Sequence, residues 1–180
     1  MIKEDQIEIP LSKNKLALLL TGSLAFVSGG IWFVINPKSL SGQSFYRSPE
    51  FIFAAGVASI LFFGLCAILI FKKIIDNKPG IVVNDFGIND NSSGTSVGLI
   101  PWKDILAVRK TVVVNQNMIM IVVSNPEEYI NKQGGLIAKK AMQMNYKSFG
   151  SPIFISANSL KCNFNQLYED IMTRFQNAER

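Results

Sequence analysis

The stretch NDFGINDNSSGTSVGLIPWKDILAVRK, residues 84–110, decides the architecture of this chain, because it is neither helix-periodic nor a linker. Gly87 and the polar run from Asp90 to Gly94 cut it into short β-branched pieces bounded by turn formers, the mark of antiparallel strands. Within it, LIPWKD sets Pro101 directly before Trp102. Pro101 has no N–H to give a ladder and suits a strand edge or bulge, while Trp102 has enough apolar surface to close one end of a small sandwich. Asp104 is expected to cap a turn or accept backbone hydrogen bonds. The alternative, Trp102 as a ligand platform, is the less common use of a buried aromatic.

Downstream, ILAVRKTVVVN and MIMIVVS read as two strands of a hairpin connected at Asn115, Gln116 and Asn117. PEEYINKQGG, residues 126–135, has Pro at its start, acids in its first turn and Gly at its end, which predicts a short helix. LIAKKAMQMNYKS continues as a second helix, with Ala138, Met142 and Tyr146 at helical spacing, and SPIFISAN returns to a strand. In the last segment Phe164, Leu167, Ile171 and Phe175 form one apolar stripe, Asn163 and Gln166 have capping-box spacing, and Glu169 and Asp170 precede Arg174 at ion-pair spacing. The expected fold class is α+β: an antiparallel β sandwich or open barrel capped by a C-terminal α-helix.

Upstream lie two uncharged runs, LALLLTGSLAFVSGGIWFVI at 16–35 and FIFAAGVASILFFGLCAILIF at 51–71. At about 1.5 Å per residue each is about 30 Å long as a helix, the thickness of the hydrocarbon core. Both are read as transmembrane helices forming a hairpin. A cleaved signal peptide is the alternative for the first, but its apolar region should be only about 7 to 15 residues long, and Glu4, Asp5 and Glu8 precede the run. Ala25 with Gly29, Ala54 with Ala58 and Ala55 with Ser59 are the small-residue pairs through which the helices would approach. The hydroxyls of Thr21, Ser23, Ser28 and Ser59 are expected to return to carbonyls one turn back.

Lys3, Lys13 and Lys15 precede the first run and Lys72, Lys73 and Lys78 follow the second, against Lys38 and Arg47 between them. Cations are retained in the cytoplasm, so both termini are expected there, in a multi-pass protein of the inner membrane. The domains are then an N-terminal segment 1–15, spans 16–35 and 51–71 with an extracytoplasmic loop 36–50, and a cytoplasmic domain 72–180.

The order of apolar strand, DFGI, polar turn, GLIPWKDI, long β-branched strand, hairpin and final helix resembles the pleckstrin-homology-like (PH-like) domains found behind transmembrane helices in bacteria. With SKNKLALLL, FGLCAILIFKK, NPEEYI and GSPIFISANSLK, the whole chain is similar to a family of small, largely uncharacterised bacterial membrane proteins. The resemblance implies a fold and a membrane location. It implies no reaction.

The chemistry in the sequence is sparse. There is no histidine, which removes the commonest general base and most zinc sites. Cys66 and Cys162 fall in different predicted environments, and no glycine-rich phosphate loop occurs. No cofactor or metal is expected. Ser159 with Lys161, or Ser151 with Lys147, could be read as a hydrolase dyad, although such pairs are common by chance. Glu127/Glu128 and Glu169/Asp170 read as solvated helix charges. From residue 72 onwards thirteen cations face nine anions, too diffuse a balance for nucleic acid.

The strongest candidate surface is Lys139, Lys140 and Lys147 with Tyr146 and Phe149, where cations alternate with residues able to enter an interface, Met142 and Met144 among them. The simpler reading is a solvated helix packing its apolar face on the sandwich. The expected function is a membrane-anchored, non-enzymatic binding module for anionic lipid head groups or a membrane or cytoplasmic protein. The alternative is an accessory or protective protein acting through its membrane helices.

Overall fold

The computed structural model describes residues 6–38, 40, 42 and 48–178, which fall into two compact units: residues 13–77, and the residues before 13 together with 78–180. Lys3, Glu4, Asp5, Arg47 and Arg180 lie outside the described residues.

The two apolar runs become helices α1, Lys13–Ile35, and α2, Pro49–Ile75, of 23 and 27 residues. Only 11% of the most apolar window of each is buried, unlike the core helix of a globular domain. Both are long and apolar enough to cross a membrane. Ser48 caps α2 by accepting the Phe51 N–H at 3.2 Å, and Lys72 and Lys73 complement the dipole at its other end.

The helices cross at Gly30 and Gly56, where an added Cβ would lie 2.9 Å from Gly56 O or 2.8 Å from Gly30 O. Glycine is what lets the backbones meet. Ser59 Oγ donates across to Phe26 O at 3.0 Å, and the Phe26 and Phe63 rings stack at 4.2 Å. The expected contact through Gly29 is therefore corrected by one residue, since a Cβ on Gly29 would meet nothing within 4 Å. Thr21, Ser23 and Ser28 do donate one turn back, to the carbonyls of Ala17, Leu19 and Leu24.

In the other unit, β1 (Ile7–Ile9), β2 (Ile81–Asn84), β3 (Gly87–Asp90) and β4 (Gly98–Pro101) form one antiparallel sheet in that order. Ile7 faces Val83 and Ile9 faces Ile81 across the first ladder. Leu11 bridges Leu160, the Ser12 N–H donates to Ser159 O at 2.7 Å, and the Lys161 N–H donates to Pro10 O at 3.0 Å. Ile9 and Leu11 are buried. The separate N-terminal segment 1–15 and the domain 72–180 expected from the sequence are thus regrouped: the unit takes in the residues before α1, and α2 runs on to Ile75. Gly87 has a φ of +150°, and a side chain there would overlap the Ile100 carbonyl. Pro101 lies on edge strand β4 opposite Gly87, where its missing N–H costs no inner ladder bond.

The second sheet is β5 (Ile105–Val113), β6 (Gln116–Val123) and β7 (Ile153–Ile155). Val113 pairs with Gln116, so the turn is Val114–Asn115, with φ of 48° and 62°, and not the Asn115–Asn117 connection read from sequence. Both central residues are left-handed, as a type I′ turn requires. For a β-branched residue such as Val114 this conformation costs on the order of 1–3 kcal/mol.

Ile119, Met120 and Ile121 on β6 are buried in succession, so both faces of this strand are covered. Two helices are inserted between β6 and β7, α3 (Pro126–Lys132) and α4 (Leu136–Phe149), and α4 packs on β7. Met142 is fully buried, and the Phe149 ring meets Phe154 of β7 edge-on at 5.4 Å. The last helix, α5 (Phe164–Ala178), is capped by Asn163, whose Oδ1 accepts the Gln166 N–H at 2.9 Å. Its buried Leu167, Ile171 and Phe175 cover the space between the sheets, with contacts to β2 and β6. Arg174 reaches Asp85 on the β2–β3 turn at 3.5 Å. The architecture is α+β, and among the described residues the sheets are not joined into a closed barrel.

Candidate functional site

Pro126 presets the first turn of α3, three residues (133–135) connect it to α4, and the two helices enclose a groove of about 700 Å³. Ile130 and Met144 line it with Glu127 on one side and Lys140, Tyr146 and Lys147 on the other. Burial of Met142 fixes the rotation of α4 and turns Lys140, Met144 and Lys147 outward, with Met144 62% exposed. No acid occurs between Leu136 and Phe149, so this face is cationic as well as partly apolar. Gly150, at φ +80°, ends the helix and donates its N–H to Tyr146 O at 2.9 Å.

Three of the five residues proposed from sequence, Lys140, Tyr146 and Lys147, therefore meet in one groove. Lys139 is half-buried and does not line the groove, and Phe149 turns to β7. Leu136 and Ile137, 87% and 72% exposed, are large apolar members of α4 that composition alone does not single out. A signal is nevertheless present: two aliphatics stand directly after a Gly-Gly pair, where an inward stripe needs only one.

Glu128 is exposed and pairs with Lys132 at 2.6 Å, and Asn125 donates to it at 2.7 Å. The Lys132 contact, then Asn125, holds its carboxyl below the usual range. This is a solvated helical pair. Tyr129 is buried and donates its hydroxyl to Asp104 Oδ2 at 2.8 Å. Burial, then the Asp104 carboxylate, pushes its ionisation well above the ordinary 10.0. Asp104 also accepts the Ser124 N–H at its backbone carbonyl, at 2.9 Å, tying the β4–β5 corner to the start of α3.

Trp102 opens that corner. Its Nε1–H donates to Asn84 O at 2.8 Å and its ring lies 6.2 Å from Phe175. Pro101, Trp102 and Lys103 also line an open groove of about 690 Å³ with Asp85, Phe86 and Phe175. The indole N–H is already bonded to the backbone, so Trp102 itself has no free donor to offer a ligand there.

The serine hydroxyls of the Ser and Lys pairs donate to backbone carbonyls. Ser151 is buried and donates to Ile121 O, Ser159 donates to Ser92 O at 2.8 Å, and Lys147 lines the α3–α4 groove. Among the described residues no three Cys, Asp or Glu side chains gather as a metal ion would require. No protein-family model, no curated protein and no solved structure matches this chain.

Proposed function

We propose that this protein is a membrane-anchored, non-enzymatic binding module, with the α3–α4 groove as its ligand surface. The carrying observation is the outward face of α4, where Lys140 and Lys147 flank exposed Met144 above a groove. An acidic partner, whether a protein segment or a lipid head group, meets both cations and an apolar floor there. The four-strand meander, three-strand meander and closing helix support the PH-like reading. In this reading α1 and α2 span the inner membrane of a bacterium. Residues 6–12 and the domain after α2 share one folded unit, which agrees with a hairpin whose two ends lie on the same, cytoplasmic, side.

The test is a photo-crosslinking residue at Met144 of the full chain in its native membrane, followed by mass spectrometry. A specific adduct that disappears with Lys140→Glu/Lys147→Glu is expected. Adducts no different between the two proteins would overturn the assignment of the groove.

A second reading, action through the membrane helices, is favoured by a notch of about 340 Å³ on the hairpin lined by Ala25, Gly29, Phe33 and Ser59. Exchanging both helices for an unrelated hairpin separates the two, since an anchor tolerates the exchange and an intramembrane partner surface does not.

A further inference from the structure

Three exposed apolar tips lie at one end of the β-rich unit, the end where the chain leaves for α1 and arrives from α2. Ser12, the last residue before α1, donates to Ser159 O at 2.7 Å, and neighbouring Asn158 donates its amide to Gln116 Oε1 at 3.0 Å. Gln116 follows the Val114–Asn115 turn, which therefore belongs to this end. On the returning connection, Asn91 donates its N–H to Gly80 O at 2.8 Å and its amide to Pro79 O at 3.4 Å. Residues 91–97 are thus held here too, and Gln133 Nε2 donates to Ser96 O at 2.9 Å, bringing the start of α4 alongside.

Val114, Leu136 and Ile137 are 91%, 87% and 72% exposed, the most exposed large apolar residues of this unit among those described. Val114 also sits in a left-handed conformation that Asn or Gly would adopt without strain. An apolar side chain kept in a strained turn with almost no contact from its own fold points to a partner outside it. Lys161, exposed and with its N–H donated to Pro10 O, brings positive charge to the same end.

We propose that this end is a bilayer-contacting face, with Val114, Leu136 and Ile137 entering the interfacial layer while Lys161 meets anionic head groups. It rests on the reading that α1 and α2 span a membrane. Residues 76–80 alone separate α2 from β2, a tether short enough to give a high effective concentration at the membrane, so weak contacts suffice. Each cation near an anionic surface raises occupancy about fivefold.

The full chain, with Cys66→Ala and Cys162→Ser, is reconstituted in nanodiscs containing phosphatidylglycerol. One cysteine at a time carries an environment-sensitive fluorophore, at Val114→Cys, Ile137→Cys, Phe86→Cys or Leu65→Cys. Blue-shifted emission quenched by shallow spin-labelled lipid is expected at 114 and 137, deep quenching at 65, and aqueous emission at 86, on the β2–β3 turn. Aqueous emission at 114 and 137 with quenching at 65 overturns this face and leaves the anchor standing; aqueous emission at all four overturns the anchor as well. Shielding at 114 and 137 without lipid quenching identifies a protein contact and equally overturns the bilayer as occupant. Val114→Asn is expected to raise thermal stability while reducing quenching at 137, and unchanged quenching there removes Val114 from the face.

Discussion

Leu11→Ala tests whether residues before the first helix belong to the fold formed largely by residues after the second. Leu11 is 4% exposed and bridges Leu160, itself fully buried, while its Cδ2 packs over the α-carbon of Gly80. Truncation removes three buried carbons from a side chain that is 4% exposed. A cost of about 3 kcal/mol follows, within the usual range for buried Leu→Ala. That is a large part of the about 5–15 kcal/mol that holds a domain together. Hydrogen exchange on the full chain in nanodiscs reads it directly: amides of Ile81–Asn84, paired with β1 and β3, should exchange about 100-fold faster where they open by global unfolding. Leu160→Ala should act on the same amides, and the double variant should cost less than the sum, because the two side chains share one contact. Unchanged protection of β2 in Leu11→Ala would refute the placement of the N-terminal segment.

At the hairpin crossing, Gly30→Ala should lower the thermal stability of the helix pair by about 1–3 kcal/mol, whereas Gly29→Ala should be silent, because only the first methyl meets the facing backbone. Tyr129→Phe should cost about 1 kcal/mol near neutral pH through loss of the bond to Asp104. Since the native state holds the Tyr129 proton more tightly than the unfolded chain does, this tyrosine makes stability fall as pH rises above 10.0, and denaturant titrations of Tyr129→Phe should lack that part of the alkaline slope. Asn163→Ala should destabilise α5 by about 1 kcal/mol, seen as faster exchange at Gln166, whose N–H it caps.

Periodicity is informative wherever a segment is long. Of the stripe Phe164, Leu167, Ile171 and Phe175 the last three are buried as the spacing predicts and Phe164 is half-buried, while of Ala138, Met142 and Tyr146 only Met142 is buried. Short features are not legible. β1 has three residues, too few for alternation to stand out, and its partner lies more than seventy positions away. The turn falls at Val114–Asn115 although local propensity favours Asn117 over a valine, because the pairing of Val113 with Gln116 overrides it. At the candidate groove, composition identifies Lys140, Tyr146 and Lys147, but only the rotation of α4 separates them from Lys139 and Phe149.

Local pattern is enough to dictate two long apolar helices and a β-rich remainder of the chain, because twenty uncharged residues and alternating β-branched runs each satisfy the backbone in essentially one way. Only the folded chain reveals that the residues before the first helix complete the sheet after the second, and which apolar side chains remain outside. Both depend on contacts between residues remote in sequence, whose free energy no local pattern records.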